Sequence, residues 1–239
     1  VRACNAGGCS QSSNQDAGSL ADQTLTFFDG FEDGNTSKWD LAINSPDAVF
    51  ACAAGRLNGS FGLCVRANFA SSAFLVQNLP SPTRNLDLNF TFDPNSVNLS
   101  KEIFNIVKFI DTANNRQALT IQIKNAASGY QVRIAAQDDT GSQFSTAWVN
   151  LPDKPAKITL SWWSTVGQLR DASSGFSGAS LQINGTEVAE LTGISNHNLT
   201  VDRIFAGGLV NAAPSGTSGI YYLDDINFSL PLFLRPDQP

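Results

Sequence analysis

The chain of 239 residues contains no methionine, a single histidine (His197) and only four glutamates (Glu32, Glu102, Glu187 and Glu190). The side chains that most often act as general acids, general bases and metal ligands are therefore scarce. Charge is scarce as well: 15% of residues are charged, and Lys+Arg 15 against Asp+Glu 21 leave a formal net charge of -6 with a pI near 4.6. No basic field is available to attract a phosphate backbone, so nucleic acid is not an expected partner. No apolar run approaches the ~18–20 residues needed to cross a bilayer, and membrane insertion is not expected. The missing methionine and the first residue Val1 fit a processed chain whose signal peptide has been removed, which points outside the cell or to its surface.

What is present is period two. Leu86, Leu88, Phe90 and Phe92 alternate with Asp87, Asn89 and Thr91; Leu119, Ile121 and Ile123 with Thr120, Gln122 and Lys124; Ile158, Leu160 and Trp162 with Lys157, Thr159 and Ser161. Each run is a half-buried strand. Further strands are predicted around 24–28, 72–77, 103–111, 130–137, 142–149, 201–209 and 219–228, with Gly, Asn, Asp, Ser and Pro clustered between them. Asn184-Gly185 lies between two alternating runs and supplies the positive-φ pair of a type I′ hairpin over Leu181–Val188. Many short strands with one apolar face predict an all-β, two-sheet antiparallel jelly-roll sandwich. It should occupy 24–229, between a Ser/Gly-rich leader (1–23) and an apolar tail (230–239).

The four cysteines form two close pairs, and in an exported chain they read as disulfides. Cys52 and Cys64 sit on strand ends facing each other across a Gly-rich turn. Cys4 and Cys9 would close a small loop, the competing reading being an interchain bond. A zinc site fits poorly, because these spacings do not match a zinc ribbon.

Asp29-Gly30-Phe31-Glu32-Asp33-Gly34 followed by Trp39, Gly59-Ser60-Phe61-Gly62-Leu63 in the middle, and Tyr221-Tyr222-Leu223-Asp224-Asp225-Ile226 near the end resemble a concanavalin A/laminin G-like lectin sandwich or a related jelly-roll carbohydrate-binding module. The resemblance spans most of 24–228. It implies a domain that binds glycans, proteins or itself, with glycanase or lyase activity in some members. It also implies a structural Ca²⁺ held by Asp29, Glu32, Asp224 and Asp225, which are hard oxygen ligands on first and last strands that a jelly roll places side by side. The competing reading of the same carboxylates is an exposed acidic turn and an Asp-rich strand end.

Catalytic patterns are weak. His197 lies in a polar Ser-Asn-His-Asn stretch with no Gly-x-Ser-x-Gly elbow, and Glu187 and Glu190 have opposite parity, which puts them on opposite strand faces. Gln122-Ile123-Lys124 superficially resembles the Gln-Ile-His strand of jelly-roll alginate lyases, but lysine replaces the histidine. A non-catalytic protein is expected. Trp39 and Trp162 read as core. Trp163 follows the solvent-facing parity, and with Trp148 and Tyr130 it is a candidate glycan platform or interface aromatic, unless a bulge turns it inward. Seven Asn-x-Ser/Thr sequons begin at Asn35, Asn58, Asn89, Asn98, Asn184, Asn198 and Asn227, and they carry meaning only in a glycosylating host.

Two functions follow. The first expectation is a structural or adhesive subunit that forms filaments with copies of itself, Leu230, Leu232, Phe233 and Leu234 of one chain adding a strand to the sheet edge of the next. The alternative is a lectin-like module that binds an extracellular glycan.

Overall fold

A computed structural model describes residues 4–5, 8–9, 26–68, 72–100, 103–164, 177–209 and 216–230. Within them the strands are, in chain order, β1 (Cys4–Asn5), β2 (Gly8–Cys9), β3 (Thr26–Asp29), β4 (Leu41–Ile43), β5 (Val49–Cys52), β6 (Gly62–Arg66), β7 (Ala73–Thr83), β8 (Asn85–Asp93) and β9 (Phe104–Asp111). The second half adds β10 (Arg116–Ala126), β11 (Gly129–Gln137), β12 (Gln143–Ser145), β13 (Val149–Leu151), β14 (Ala156–Trp163), β15 (Gly178–Ile183), β16 (Thr186–Thr192), β17 (Val201–Leu209) and β18 (Ile220–Ser229).

They form the predicted sandwich. The front sheet runs β12-β11-β10-β9-β17-β7-β4, with β13 also paired to β11; the back sheet runs β16-β15-β14-β8-β18-β6-β5, with β3 also paired to β18. All pairings are antiparallel. The apolar parity of each run faces the other sheet, so Leu88, Phe90 and Phe92 of β8, Phe109 of β9, Ile121 and Ile123 of β10, Trp162 of β14 and Leu223 of β18 are buried in one core. Truncating a buried phenylalanine such as Phe109 to alanine costs about 3–5 kcal/mol through lost transfer energy and the cavity left behind.

The hairpin at Asn184-Gly185 forms as its sequence dictates, with φ of 52° and 79° at the two turn residues. Three features differ from the sequence reading. The segment 142–149 does not make one strand but breaks into β12 and β13, both of which pair with β11. The three residues of β4 were not foreseen, being too few to show an alternation. Glu187 and Glu190 share a face after all: Gln182 pairs Glu187 while Leu181 pairs Ala189, and the extra residue of this β-bulge resets the parity. They stand on the outer side of the back sheet, on its edge strand.

Candidate functional site

The sequence brings the chain ends together as expected, with Asp29 of β3 opposite Ile226 of β18. Asp29 is buried; its Oδ1 accepts the Phe31 N–H at 2.8 Å and its Oδ2 accepts the Trp39 indole N–H at 2.9 Å, with Lys38 Nζ at 3.5 Å. The other three carboxylates converge on the loop 56–61 between β5 and β6. Asp224 Oδ2 accepts from both Leu57 N and Asn58 N at 2.9 Å, and its Oδ1 accepts Asp225 N at 2.8 Å. Glu32 accepts Ser60 N with both oxygens (3.0 and 2.9 Å) and Phe61 N at 3.3 Å, while Asn58 Nδ2 donates to Asp225 at 3.2 Å. Gly59, at φ 77°, has no room for a Cβ, which would overlap the Glu32 carboxylate. The Cys52–Cys64 disulfide forms at the base of this loop, as expected.

These carboxylates therefore hold backbone N–H groups. Among the described residues no group of three or more His, Cys, Asp or Glu side chains is arranged to hold a metal ion. With most of their oxygens already directed at donors, Asp29, Glu32, Asp224 and Asp225 do not fit a four-carboxylate calcium cage. Burial pushes the Asp224 carboxyl above the usual carboxylate range, the neighbouring Asp225 charge acting in the same direction and the N–H groups of Asn58 and Leu57 opposing it.

The front sheet presents a different surface. Gln122 of β10 pairs with Arg133 of β11 on one side and Asn105 of β9 on the other; Thr120 pairs with Ala135 and Lys108; Lys124 pairs with Gln131. Paired residues share a face, so all of these point away from the core. The row continues through Phe205 of β17, opposite Lys108, then Val76 of β7 and Leu41 of β4; Arg203 pairs with Asn78 one step along, and Phe74 lies opposite Ile43 and Gly207. Half of the face is thus polar and cationic, and half is apolar.

Side-chain bonds fix the polar half. Arg133 Nε donates to Gln122 Oε1 at 2.8 Å, Gln122 Nε2 donates to Asn105 Oδ1 at 3.1 Å, and Gln131 Nε2 donates to Asn150 Oδ1 at 3.3 Å. Trp148, half-buried in the link between β12 and β13, receives two cations, Lys124 Nζ at 4.3 Å and Arg133 Cζ at 4.5 Å from its ring centroid. On the apolar half, Phe74 and Phe205 meet edge to face with centroids 5.1 Å apart. Among the described residues no carboxylate lies within ion-pair distance of Lys108, Lys124, Arg133 or Arg203; the ion pairs join Lys38 to Asp29 and Asp33, and His197 to Asp139. Burial lowers the Lys108 ammonium and the Arg133 guanidinium below their ordinary values.

Of the expected aromatics, Trp148 belongs to this face and two do not. Tyr130 is a correction: it is buried, its hydroxyl donates to the Val97 carbonyl at 2.5 Å, and burial with the nearby Asp153 and Asp93 charges raises its phenol to about 12. Trp163 keeps its regular pairing with Gly178 and lies half-buried on the back sheet, its ring against the space that a side chain at Gly178 would fill. Sequence reasoning missed Phe74 and Phe205, although the parity Arg203, Phe205, Gly207 against Ile204, Ala206 within 201–209 already sets Phe205 on the outer face.

Of the remaining expected sites, Cys4 and Cys9 are opposite each other in the β1–β2 ladder. Leu230 packs against the core, whereas Leu232, Phe233 and Leu234 lie outside the described residues. No helix among the described residues is long and apolar enough to cross a membrane.

A sandwich of two antiparallel sheets is the architecture of the jelly-roll class, and solved structures agree in fold. The chain is similar in fold to alginate lyase Aly36B (TM-score 0.54, 13% identity, covering 87% of this chain and 98% of that one) and to the globular domain of T. cruzi calreticulin (TM-score 0.54, 12% identity, 86% and 88%). It is also similar to a botulinum neurotoxin serotype D ligand-binding domain in complex with N-acetylneuraminic acid (TM-score 0.52, 15% identity, covering 90% of this chain), and it spans about half of that chain, 50%. No protein-family model and no curated protein matches the sequence.

Proposed function

We propose that the protein is a non-catalytic, extracellular carbohydrate-binding domain that takes sugar on the outer face of the front sheet. The observation that carries this reading is the convergence of planar hydrogen-bonding groups (Gln122, Asn105, Gln131, Arg133) and rings (Trp148, Phe74, Phe205) from five strands and one link onto a single sheet face. Sugars need both, because their hydroxyls demand directional partners and their C–H faces stack on rings. The N-acetylneuraminic acid complex of the botulinum domain and the alginate lyase support it at the level of fold. The binding reading is preferred over catalysis because His197 sits beside Asp139 in the loops, Tyr130 is turned into the core, and the β10 position of interest carries Lys124. The Cys52–Cys64 disulfide is compatible with an oxidising compartment.

Filament formation, the first expectation from sequence, rests on the tail 230–239, of which Leu230 packs against the core of its own sandwich and 231–239 lie outside the described residues, and no observation among the described residues supports it.

The test is affinity electrophoresis against a panel of soluble polysaccharides, followed by hydrogen exchange with the retarding polymer. Retardation, with new protection in β9, β10, β11 and β17 and weakened by Phe205→Ala at an unchanged melting temperature, is the expected result. Absence of retardation by every polymer, or protection confined to the back sheet, refutes the proposal.

A further inference from the structure

We infer that the sugar recognised by this face is anionic: a polysaccharide carrying carboxylate or sulfate groups, held by Lys124, Arg133 and Lys108. The inference rests on the binding face proposed above and names its ligand class.

Three observations point the same way. The chain is acidic overall, -6, yet this face gathers Lys108, Lys124, Arg133 and Arg203 with no carboxylate in ion-pair distance among the described residues. In a protein with 21 acidic and 15 basic side chains, a solvated surface of this size would ordinarily intersperse acids among the cations. Second, Lys124 and Arg133 are drawn to one ring, each within 4.5 Å of the Trp148 centroid. Two like charges on one ring repel each other, and an anion between them converts that repulsion into two charge-assisted bonds. Third, the polar interior of the patch is incomplete. Thr120 Oγ1 is buried beside Lys108 without a hydrogen-bond partner among the described residues, and Lys108 is itself half-buried with no counter-charge among them.

The geometry also separates roles. Arg133 is oriented by its Nε bond to Gln122, leaving its terminal nitrogens free of that contact, one of them 3.3 Å from Ser145 Oγ. A planar guanidinium so fixed suits a planar carboxylate or a sulfate edge. Phe74 and Phe205, across the face, offer the apolar surface on which an adjacent sugar ring can lie. A charged polymer running from β11 towards β7 would meet the cations around Trp148 first and the Phe205–Phe74 pair second.

The experiment uses the full chain and four probes: polygalacturonate, dextran sulfate, neutral dextran and single-stranded DNA, each titrated at 50 and 200 mM salt. Expected are binding of one or both acidic polysaccharides and none of dextran, with affinity falling about ten-fold between the two salt concentrations, as for a few neutralised charges. The stronger of the two acidic polymers identifies carboxylate or sulfate. Lys124→Gln with Arg133→Gln should cost ten-fold or more, and Lys124→Arg should retain most of the affinity, the melting temperatures reporting that each variant folds. Equal binding of dextran, unaffected by the Gln pair but lost with Phe205→Ala, overturns the anionic class and leaves the binding face standing. Binding of no polysaccharide removes the binding reading as well. Single-stranded DNA bound as tightly as either acidic polysaccharide overturns the glycan assignment in favour of a general polyanion site.

Discussion

Replacing Asp224 by alanine removes three hydrogen bonds from one buried carboxylate, those to Leu57 N, Asn58 N and Asp225 N. A buried donor left unpaired costs about 1–3 kcal/mol, but Asn58 is exposed and Leu57 partly so, and water can reach the donors as the loop loosens. Relief of the buried charge offsets a further part. The net expected loss is about 3 kcal/mol, which in a chain of this size lowers the melting temperature by roughly 6–12 °C. Asp224→Asn should cost nearly as much, because its single oxygen cannot serve acceptor sites on both sides and its amide N–H groups then face backbone N–H groups. The pH dependence has a definite sign. Asp224 in the folded chain holds its proton more tightly than an unfolded aspartate, so its contribution to stability is lowest at neutral pH, grows as pH falls through the raised value, and is complete below the unfolded one. The stability difference between the native protein and Asp224→Asn should therefore widen on acidification. Urea unfolding followed by tryptophan fluorescence from pH 7 to pH 4 measures it. A melting shift under about 2 °C for both variants, or a difference that narrows in acid, would refute the reasoning.

Asp111 should behave in the opposite way: burial opposes its ionisation, but the side chain and N–H of Asn114 and the N–H groups of Thr200 and Ala113 outweigh it and hold the carboxyl below the usual range. Its stabilisation is present above the unfolded value and lost as pH falls through the lowered one, so the gap between the native protein and Asp111→Asn should close in acid, a widening gap contradicting the assignment. Calcium gives a third test, in differential scanning calorimetry with excess EGTA and then Ca²⁺. The resemblance to calcium-holding sandwiches expects the melting temperature to drop and recover, whereas carboxylates already filled by N–H donors leave it unmoved, and the latter is expected here.

The sandwich was legible in the sequence because period-two runs encode their own faces. Leu88, Phe90 and Phe92 could be assigned to the core from β8 alone, and the Asn184-Gly185 turn needed no tertiary information. The acidic groups at the two chain ends were legible in position but not in role. Asp29, Glu32, Asp224 and Asp225 do gather around one end of the sandwich, yet a carboxylate that binds a cation and one that caps a loop have the same sequence. That Leu57 N and Asn58 N point at Asp224, and Ser60 N and Phe61 N at Glu32, is visible only in the folded chain. The binding face was the least legible part. Its members come from β7, β9, β10, β11 and β17, whose order in the sheet is set by pairing across as many as 135 positions, from Ala73 to Gly208, and the bulges in the β9–β10 and β9–β17 ladders reset parity along the way. Parity within one strand gives a face; only the topology says which faces meet. Tyr130 shows the same limit, since nothing local to Gly129-Tyr130-Gln131 reveals the Val97 carbonyl that accepts its hydrogen bond.

The contrast between the two outer faces bears on how a ligand would approach. On the back sheet a row of polar groups is joined side chain to side chain: Thr159 donates to Asn89 at 2.7 Å, and Asn89 donates to Asn227 at 3.3 Å. Asp87, Glu187 and Glu190 share that outer side by register. On the front sheet the hydrogen-bonded chain Arg133–Gln122–Asn105 ends in cations that nothing among the described residues neutralises. A net acidic molecule with one basic face repels a polyanion over most of its surface and attracts it at one place. At an ionic strength where the Debye length is about 8 Å, that attraction is felt only near contact, so it sets orientation more than long-range capture. The expected consequence is that reversing one charge on the basic face, Lys124→Glu, weakens binding of an acidic polysaccharide far more than the same change at Lys157 on the back sheet, although both alter the net charge equally. Equal losses from the two variants would mean that net charge alone governs the encounter, and that the segregation of charge between the faces has no part in it.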